Sequence, residues 1–380
     1  MTFLAQLCAT LAEWLHQPEP HDSDWSAETW QTFQFASRVH GVAPLLYSKL
    51  ANTPWLPETQ KIWLAEQYQL NSQRLAKMHT ELKAILALFS GQQVAVMPLK
   101  GSILSTAYYA QAALRPMADL DLLIRPEDFS QAAQLLGQLG YEQEVTHWKH
   151  TEFSRPDNRQ VVSTTGEHPD NPRKLEVHLH CRENFGGPLV ELTELMWRKA
   201  LPGSLLGEPA LLPQPDVLWL HLLVHATYHQ WQGKGRLLHL VDLTLLLPHL
   251  REPLHLLNSV EARFTYPGLV LLKKYFPSSL DNSLLTSQQK RVWPSFRRWA
   301  ESRDLVNTSH LNPKPAGLYL LKALHFTEGR PREVAQALRF ALLPSLEEIA
   351  LDHSRLARSK APWLAYFLLP LDWARRVTGR

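Results

Sequence analysis

Apolar residues near the start of the chain are spaced for one face of a helix: Leu4, Leu7, Leu11, Trp14 and Leu15. The stretch from Gln17 to Asp24, with its Pro and Asp residues, interrupts that period. A second helix is predicted through Trp30, Phe33, Phe35 and Ala36, and a third from about Pro57 to Ser90. Between them, His40-Gly41-Val42-Ala43-Pro44-Leu45-Leu46 reads as a turn into another helix.

The period changes after Gly91. Val94, Ala95, Val96 and Met97 form a short apolar run that predicts a buried strand. Lys100-Gly101-Ser102 follows, then a helical stretch from Ile103 to about Ala113. Asp119-Leu120-Asp121-Leu122-Leu123-Ile124 begins in strict alternation and predicts a second strand. Pro126 opens a helix with an apolar face of Phe129, Ala132, Leu135, Leu136 and Leu139, stopped near Gly140. Strand-like stretches are expected from Trp148 to Phe153 and from Gln160 to Thr164, then a loop over Gly166 to Pro172. Leu175 to His180 alternates again. From about Leu189 onward the pattern is read as helical to the end, with breaks near Pro213, Pro248, Pro267, Pro277 and Pro313. The expected organisation is an N-terminal helical region over 1–90, a mixed α/β unit over 91–188 and a C-terminal helical domain over 189–380.

Composition excludes several classes. The chain has 380 residues, is 45% hydrophobic and 20% charged, and fits an ordinary globular protein. Two cysteines, Cys8 and Cys181, make neither a disulfide framework nor a four-cysteine zinc site. They fit a reducing cytoplasm, and the N-terminus lacks the basic region of a signal peptide. No apolar run is long enough to span a bilayer. The longest, Ala361 to Leu371, is interrupted by Pro362 and Pro370 and is read as a core helix rather than a membrane-surface segment. The net charge of +3 argues only weakly against a long nucleic-acid partner, which needs clustered Lys and Arg. Local basic runs lie at Lys290 to Arg298 and at Arg375, Arg376 and Arg380.

Residues two apart on a strand point to the same face, so Asp119 and Asp121 project together. Paired carboxylates repel unless a cation lies between them, and a hard cation such as Mg²⁺ prefers such oxygen ligands. Asp-x-Asp alone is weak and is commonly a solvated strand face. Gly101-Ser102 adds weight: after a strand and at a helix start, unpaired amides favour phosphate. An ordinary turn and helix cap would look the same. Glu176 lies on an alternating strand with His178 and His180 on its face. If that strand neighbours the Asp119 strand, three carboxylates converge, and Glu176 could serve as a general base. The competing reading is a surface glutamate beside structural histidines.

This order of Gly-Ser turn, helix, Asp-x-Asp strand and later strand carboxylate resembles the polymerase-β nucleotidyltransferase superfamily. Leu99-Lys100-Gly101, Arg115-Pro116-Met117-x-Asp119-x-Asp121-Leu122-Leu123-Ile124, Gly140-Tyr141 and Glu176-x-His178 are similar to the uncharacterised nucleotidyltransferase family of bacteria. So are Arg38-x-His40-Gly41-Val42-Ala43-Pro44 and His225-Ala226 with His229, Arg236-Leu237 and Asp242. The resemblance implies an α+β fold: a small mixed-sheet palm between helical regions. It implies transfer of an NMP from an NTP, with Mg²⁺ or alternatively Mn²⁺ on Asp119, Asp121 and Glu176. It also implies Gly101 and Ser102 at the phosphates. The third acid is Glu where Asp is common in the superfamily, and the turn is a single Gly-Ser preceded by Lys100. Lys100 and Arg115 are suitable cations for a triphosphate, and equally suitable partners for the acids.

His221, His225 and His229 recur every four residues, so they share a helix face with His239 and Asp242 nearby in sequence. Zinc binding is one reading; packing on so apolar a helix is the more usual one. His178, His225 and Asp242 are candidates to line an acceptor pocket. His147, His150 and His168 carry little signal. The acceptor expected is a small molecule, a sugar or a protein side chain. The competing class is a non-catalytic nucleotide sensor or partner-binding protein on the same fold.

Overall fold

The computed structural model describes residues 2–17, 25–147, 149–163, 167–311 and 318–342. The apolar segment Ala361 to Leu371, the arginines from Arg375 onward, Pro313 and most of the Gln17 to Asp24 break lie outside the described residues. The fold is α+β, a small mixed sheet with helical flanks.

Four helices come first: α1 (Phe3–His16), α2 (Ala27–Val39), α3 (Ala43–Leu50) and α4 (Glu58–Gly91). Ser26 caps α2, its side chain accepting from the Thr29 amide. Helix α4 buries Leu64, Asn71, Leu75, Met78, Leu82, Ile85, Leu86 and Phe89, which sets its inner face against the sheet region. The turn into α3 needs Gly41, whose φ of +69° lies in the left-handed region and whose hydrogen faces Leu238.

The sheet is assembled from β1 (Val96–Pro98), β2 (Asp119–Ile124), β3 (Glu142–Thr146), β4 (His150–Ser154) and β5 (Lys174–His178), in the order β1-β2-β5-β4-β3. Only β2 and β5 are parallel; the other pairs are antiparallel. Helices α5 (Lys100–Ala107) and α6 (Phe129–Gln138) follow β1 and β2. Leu120, Leu122, Leu123, Ile124, Leu175 and Val177 put the sheet centre in the core. Beyond it come β6 (Arg182–Asn184), β7 (Leu189–Glu191), α7 (Thr193–Arg198), β8 (Ala200–Leu205), β9 (Glu208–Pro213), α8 (Pro215–Gln232) and α9 (Leu237–Leu246). Further helices continue to Leu342. Among the described residues no helix is long and apolar enough to cross a membrane.

Three expectations differ from the structure. Residues 160–163 are not a strand, because the Asn171 side chain binds the Val162 and Ser163 amides at 2.9 Å and the Ser163 carbonyl at 2.8 Å. The edge strand is instead β3, whose polar sequence carries no apolar alternation. The helix after Gly101 stops at Ala107, and Ala112–Leu114 is a separate short turn, its Ala113 carbonyl held by Asn71 at 2.6 Å. The chain after Leu189 is not wholly helical: β7 and the β8–β9 hairpin lie there. Pro202 and Gly203 inside β8 hide that hairpin from a propensity reading. Leu206 and Gly207, both at positive φ, form its two-residue turn.

His40 ties the N-terminal helices to α9. Its Nδ1 accepts from the Leu237 amide at 3.3 Å and its carbonyl from the Leu238 amide at 3.2 Å. Burial, reinforced by Arg236, pushes its pKa down from 6.5 to about 3. Burial does the same to His221. The unfolded chain therefore binds more protons between about pH 3 and 6.5. The stability gained by neutral imidazoles is complete above 6.5 and lost as pH falls through that window. Urea unfolding is expected to show a lower midpoint at about pH 5.5 than at 7.5, with a slope on the order of 1.4 kcal/mol per pH unit for each such histidine. An unchanged midpoint would refute this.

Candidate active site

The parallel pairing of β2 with β5 sets Asp121 directly beside Glu176, with Asp119 opposite Lys174. Side chains two apart on β2 share a face, so all three carboxylates project from the same side of the sheet. Asp121 is buried, while Asp119 and Glu176 are half-buried.

Lys100 supplies the countercharge. Its Nζ lies 2.6 Å from Asp121 Oδ1 and 3.9 Å from Glu176 Oε2. It sits at the first position of α5 with φ of +44°, a conformation that L residues rarely adopt. His178 Nε2 is 2.8 Å from Asp121 Oδ1 and 3.3 Å from Glu176 Oε2. Burial alone would raise the Asp121 pKa, but Lys100 and His178 hold it well below the usual carboxylate range. Glu176 is lowered too, the hydrogen bond from His178 and the charge of Lys100 outweighing burial. Asp119 goes the other way: burial, and then the charges of Asp121 and Glu176, push it up to about 8. The charges of Lys100 and Arg115 act against this shift without cancelling it, which leaves the third carboxyl short of positive charge.

That imbalance bears on metal fit. The resemblance carried by the motifs implies a divalent ion, and an all-oxygen donor set of this kind suits a hard cation. The two ionised carboxylates that hold Asp119 protonated would be relieved by such an ion, so Asp119, Asp121 and Glu176 fit one. His150 adds nitrogen to the rim: it pairs across the sheet with His178, and its Nδ1 lies 3.6 Å from Glu176 Oε2. His150, Glu176 and His178 each offer a ligand atom within 4.8 Å of the others.

The other predicted site residues divide. Gly101 is packed so closely that a Cβ there would collide with the Arg115 guanidinium and the Met117 side chain. Ser102 is fully buried, its hydroxyl accepting from the Asp121 amide at 2.8 Å. It fixes the acidic strand to α5, rather than facing outward. Arg115 is buried in a bidentate pair with Asp242, Nε to Oδ1 at 2.9 Å and the second nitrogen to Oδ2 at 2.7 Å. Tyr109 also donates to Asp242 at 2.7 Å. Arg115 and Asp242 therefore meet each other and not the acid cluster. His225 Nδ1 lies 2.9 Å from Glu183, itself buried and bound to Lys149 at 3.0 Å.

Two residues of the site escaped the sequence reading. His150 had no signal beyond its type, since its neighbours come from strand pairing. Arg74 is the other. It lies on the buried face of α4 and donates to the carbonyls of Met117, Ala118, Asn171 and Pro172, each at 2.9 Å, and of His168 at 3.3 Å. Those carbonyls belong to the segments entering β2 and β5. The one available hint was an arginine spaced with Asn71, Leu75 and Met78.

A family model described as uncharacterised nucleotidyltransferase matches residues 26–269, more than half of the chain. The chain belongs to that family. The match takes in α2 through α9 and runs on to residue 269, and so includes the whole acid cluster. This nucleotidyltransferase is also similar to the solution structure of the antibiotic-resistance factor ANT(2'')-Ia. That likeness has 13% identity and a TM-score of 0.33, and covers 48% of this chain and 90% of that one. An antigenic nucleotidyltransferase-like protein from Paracoccidioides brasiliensis is 16% identical with a TM-score of 0.35, over 56% of this chain and 92% of that one. No curated protein matches.

Proposed function

We propose that the chain transfers a nucleoside monophosphate from an NTP to a hydroxyl or phosphate of an acceptor, with Asp119, Asp121 and Glu176 as metal ligands. The observation that carries this reading is the direct pairing of Asp121 with Glu176 on parallel strands, with Asp119 on the same face. Asp119, Asp121 and Glu176 would hold Mg²⁺, or Mn²⁺ in its place, which when bound would supply positive charge against that of the triphosphate and leaving pyrophosphate. Lys100 holds Asp121 ionised and is the nearest cation for a phosphate oxygen. Glu176, beside His178, accepts the proton of the acceptor hydroxyl. That oxygen then bonds to the α-phosphorus as the bond to the β-phosphate oxygen breaks. Arg115 and Ser102 act by holding the scaffold, since both are engaged internally. The region after about residue 189 is the proposed source of acceptor specificity, and a small molecule, sugar or protein side chain the proposed acceptor.

One observation favours a second reading, a non-catalytic nucleotide sensor or partner-binding protein. Two of the four predicted phosphate contacts, Ser102 and Arg115, are buried and paired within the protein. Calorimetry with each NTP, with and without Mg²⁺, separates the two. The catalytic reading expects micromolar-class binding of at least one NTP that requires Mg²⁺. Mg²⁺-independent binding, or none, supports the second reading.

A further inference from the structure

We propose that His225, His229 and His239 form a binding site for one borderline divalent ion of the zinc class, additional to the oxygen site of the three carboxylates. His225 and His229 lie one turn apart on α8, and His239 comes from α9. Each of the three offers a nitrogen within 4.8 Å of the other two. The His225 and His229 ring centres are 4.2 Å apart, those of His229 and His239 4.8 Å, and those of His225 and His239 5.9 Å. His221, although it continues the spacing along α8, stands 6.3 Å from His225 and is not part of the group.

Three further features distinguish this cluster from ordinary packing. The first is the support of His225: its Nδ1 is bound to the buried Glu183 at 2.9 Å, which leaves Nε2 as the ligating nitrogen. A carboxylate behind a histidine in this way fixes the ring and raises its basicity as a ligand. Lys149, 3.0 Å from Glu183, balances that carboxylate in turn. The second is polar accounting. The Nδ1 atoms of His229 and His239 are buried and hydrogen-bond to none of the described residues. Leaving such atoms unpaired is costly, and two of them beside a third imidazole is an arrangement that an ion would resolve. The third is charge. Burial lowers all three imidazoles well below their ordinary range, so each is neutral, the form that binds a metal.

The donor chemistry selects the ion. Three imidazoles and no carboxylate oxygen in the ligand set suit Zn²⁺, and its neighbours Co²⁺ and Ni²⁺, rather than Mg²⁺. Three protein ligands leave a fourth position for water or a substrate atom. Seated there, the ion would bind α8 to α9, and through Glu183 to the strand that follows the acid-bearing sheet.

The test uses the full chain, stripped with a chelator and kept in excess Mg²⁺ to occupy the oxygen site. Zn²⁺ is titrated and bound metal counted, Co²⁺ is added separately for its visible absorption, and melting is followed with and without Zn²⁺. The expected result is one Zn²⁺ per chain, a tetrahedral Co²⁺ spectrum and a higher melting temperature with Zn²⁺. His229→Ala and His239→Ala should each lose at least about 10²-fold in Zn²⁺ affinity, and Glu183→Gln roughly 10- to 100-fold. His150→Ala is the control, because His150 is shared by the two other histidine-containing clusters, with His147 and Glu152 and with Glu176 and His178. It should bind Zn²⁺ as the wild type does. Wild-type protein that retains no Zn²⁺ and does not melt higher with it would overturn the proposal, whatever the variants do. So would binding lost in His150→Ala and kept in His229→Ala.

Discussion

Asp119→Asn is expected to weaken Mg²⁺-dependent NTP binding by roughly 10²–10³-fold, a loss of the size seen when one element of a preorganised charge site is removed. The same change should leave the metal-free protein at least as stable as the wild type. Asp119 is the carboxyl that burial and its neighbours push up to about 8, so ionising it in the absence of an ion opposes folding. The sign follows from linkage. With the folded pKa above the unfolded value of 3.8, the native state binds the extra proton, and stability declines as pH rises from about 4 through about 8. Asparagine has no such charge to form, so the variant's advantage should be largest above pH 8. Calorimetry for the nucleotide and urea unfolding at two pH values check both halves. An Asp119→Asn protein that binds Mg·NTP normally would remove Asp119 from the site.

The largest stability effect is expected at Arg115. Its guanidinium and the Asp242 carboxylate are both buried and joined by two hydrogen bonds, with Tyr109 as a third member. Removing one partner leaves the other charge buried and unpaired, so Arg115→Ala should cost about 3–5 kcal/mol. It would also free the space against Gly101, whose backbone lies on that guanidinium. The double variant Arg115→Met/Asp242→Leu should regain most of the loss, because an apolar pair removes the uncompensated charge as well. Chemical denaturation of the two variants decides this. If Arg115→Ala instead melted like the wild type but lost NTP affinity, Arg115 would belong at the phosphates, as its charge alone suggested.

The geometry with a short period was legible in the sequence. Asp119, Asp121 and Glu176 follow from alternation along two strands, and the Gly101 turn from its place between a strand and a helix. What alternation cannot give is which strands are neighbours. The Asp121–Glu176 pairing depended on that neighbour relation, and so did the arrival of His150 beside Glu176. Arg115 and Asp242, 127 residues apart, looked like two separate ligand-binding candidates, and their distance in sequence hid the fact that each satisfies the other. Ser102 was read from its residue type as a phosphate donor, but its hydroxyl turns inward because the Asp121 amide needs an acceptor. In the fold, β8 was hidden by Pro202 and Gly203, and β3 by its polar composition.

The grip of Arg74 has a further consequence. The chain leaves β2 at Ile124 and returns to β5 only at Lys174, having built α6, β3 and β4 on the way. The β2–β5 ladder sets the carboxylates at the two ends of that excursion side by side, and β4, within the excursion, pairs with β5 in turn. A single guanidinium on α4 gathers the carbonyls just ahead of both strands, and so braces that ladder from outside. The part of the excursion that neither pairs with β5 nor binds Arg74, from α6 to β3, is where a change reaches the acids least directly. Variation is expected to be tolerated best there, and to be tightly restricted at one residue forty-five positions before Asp119.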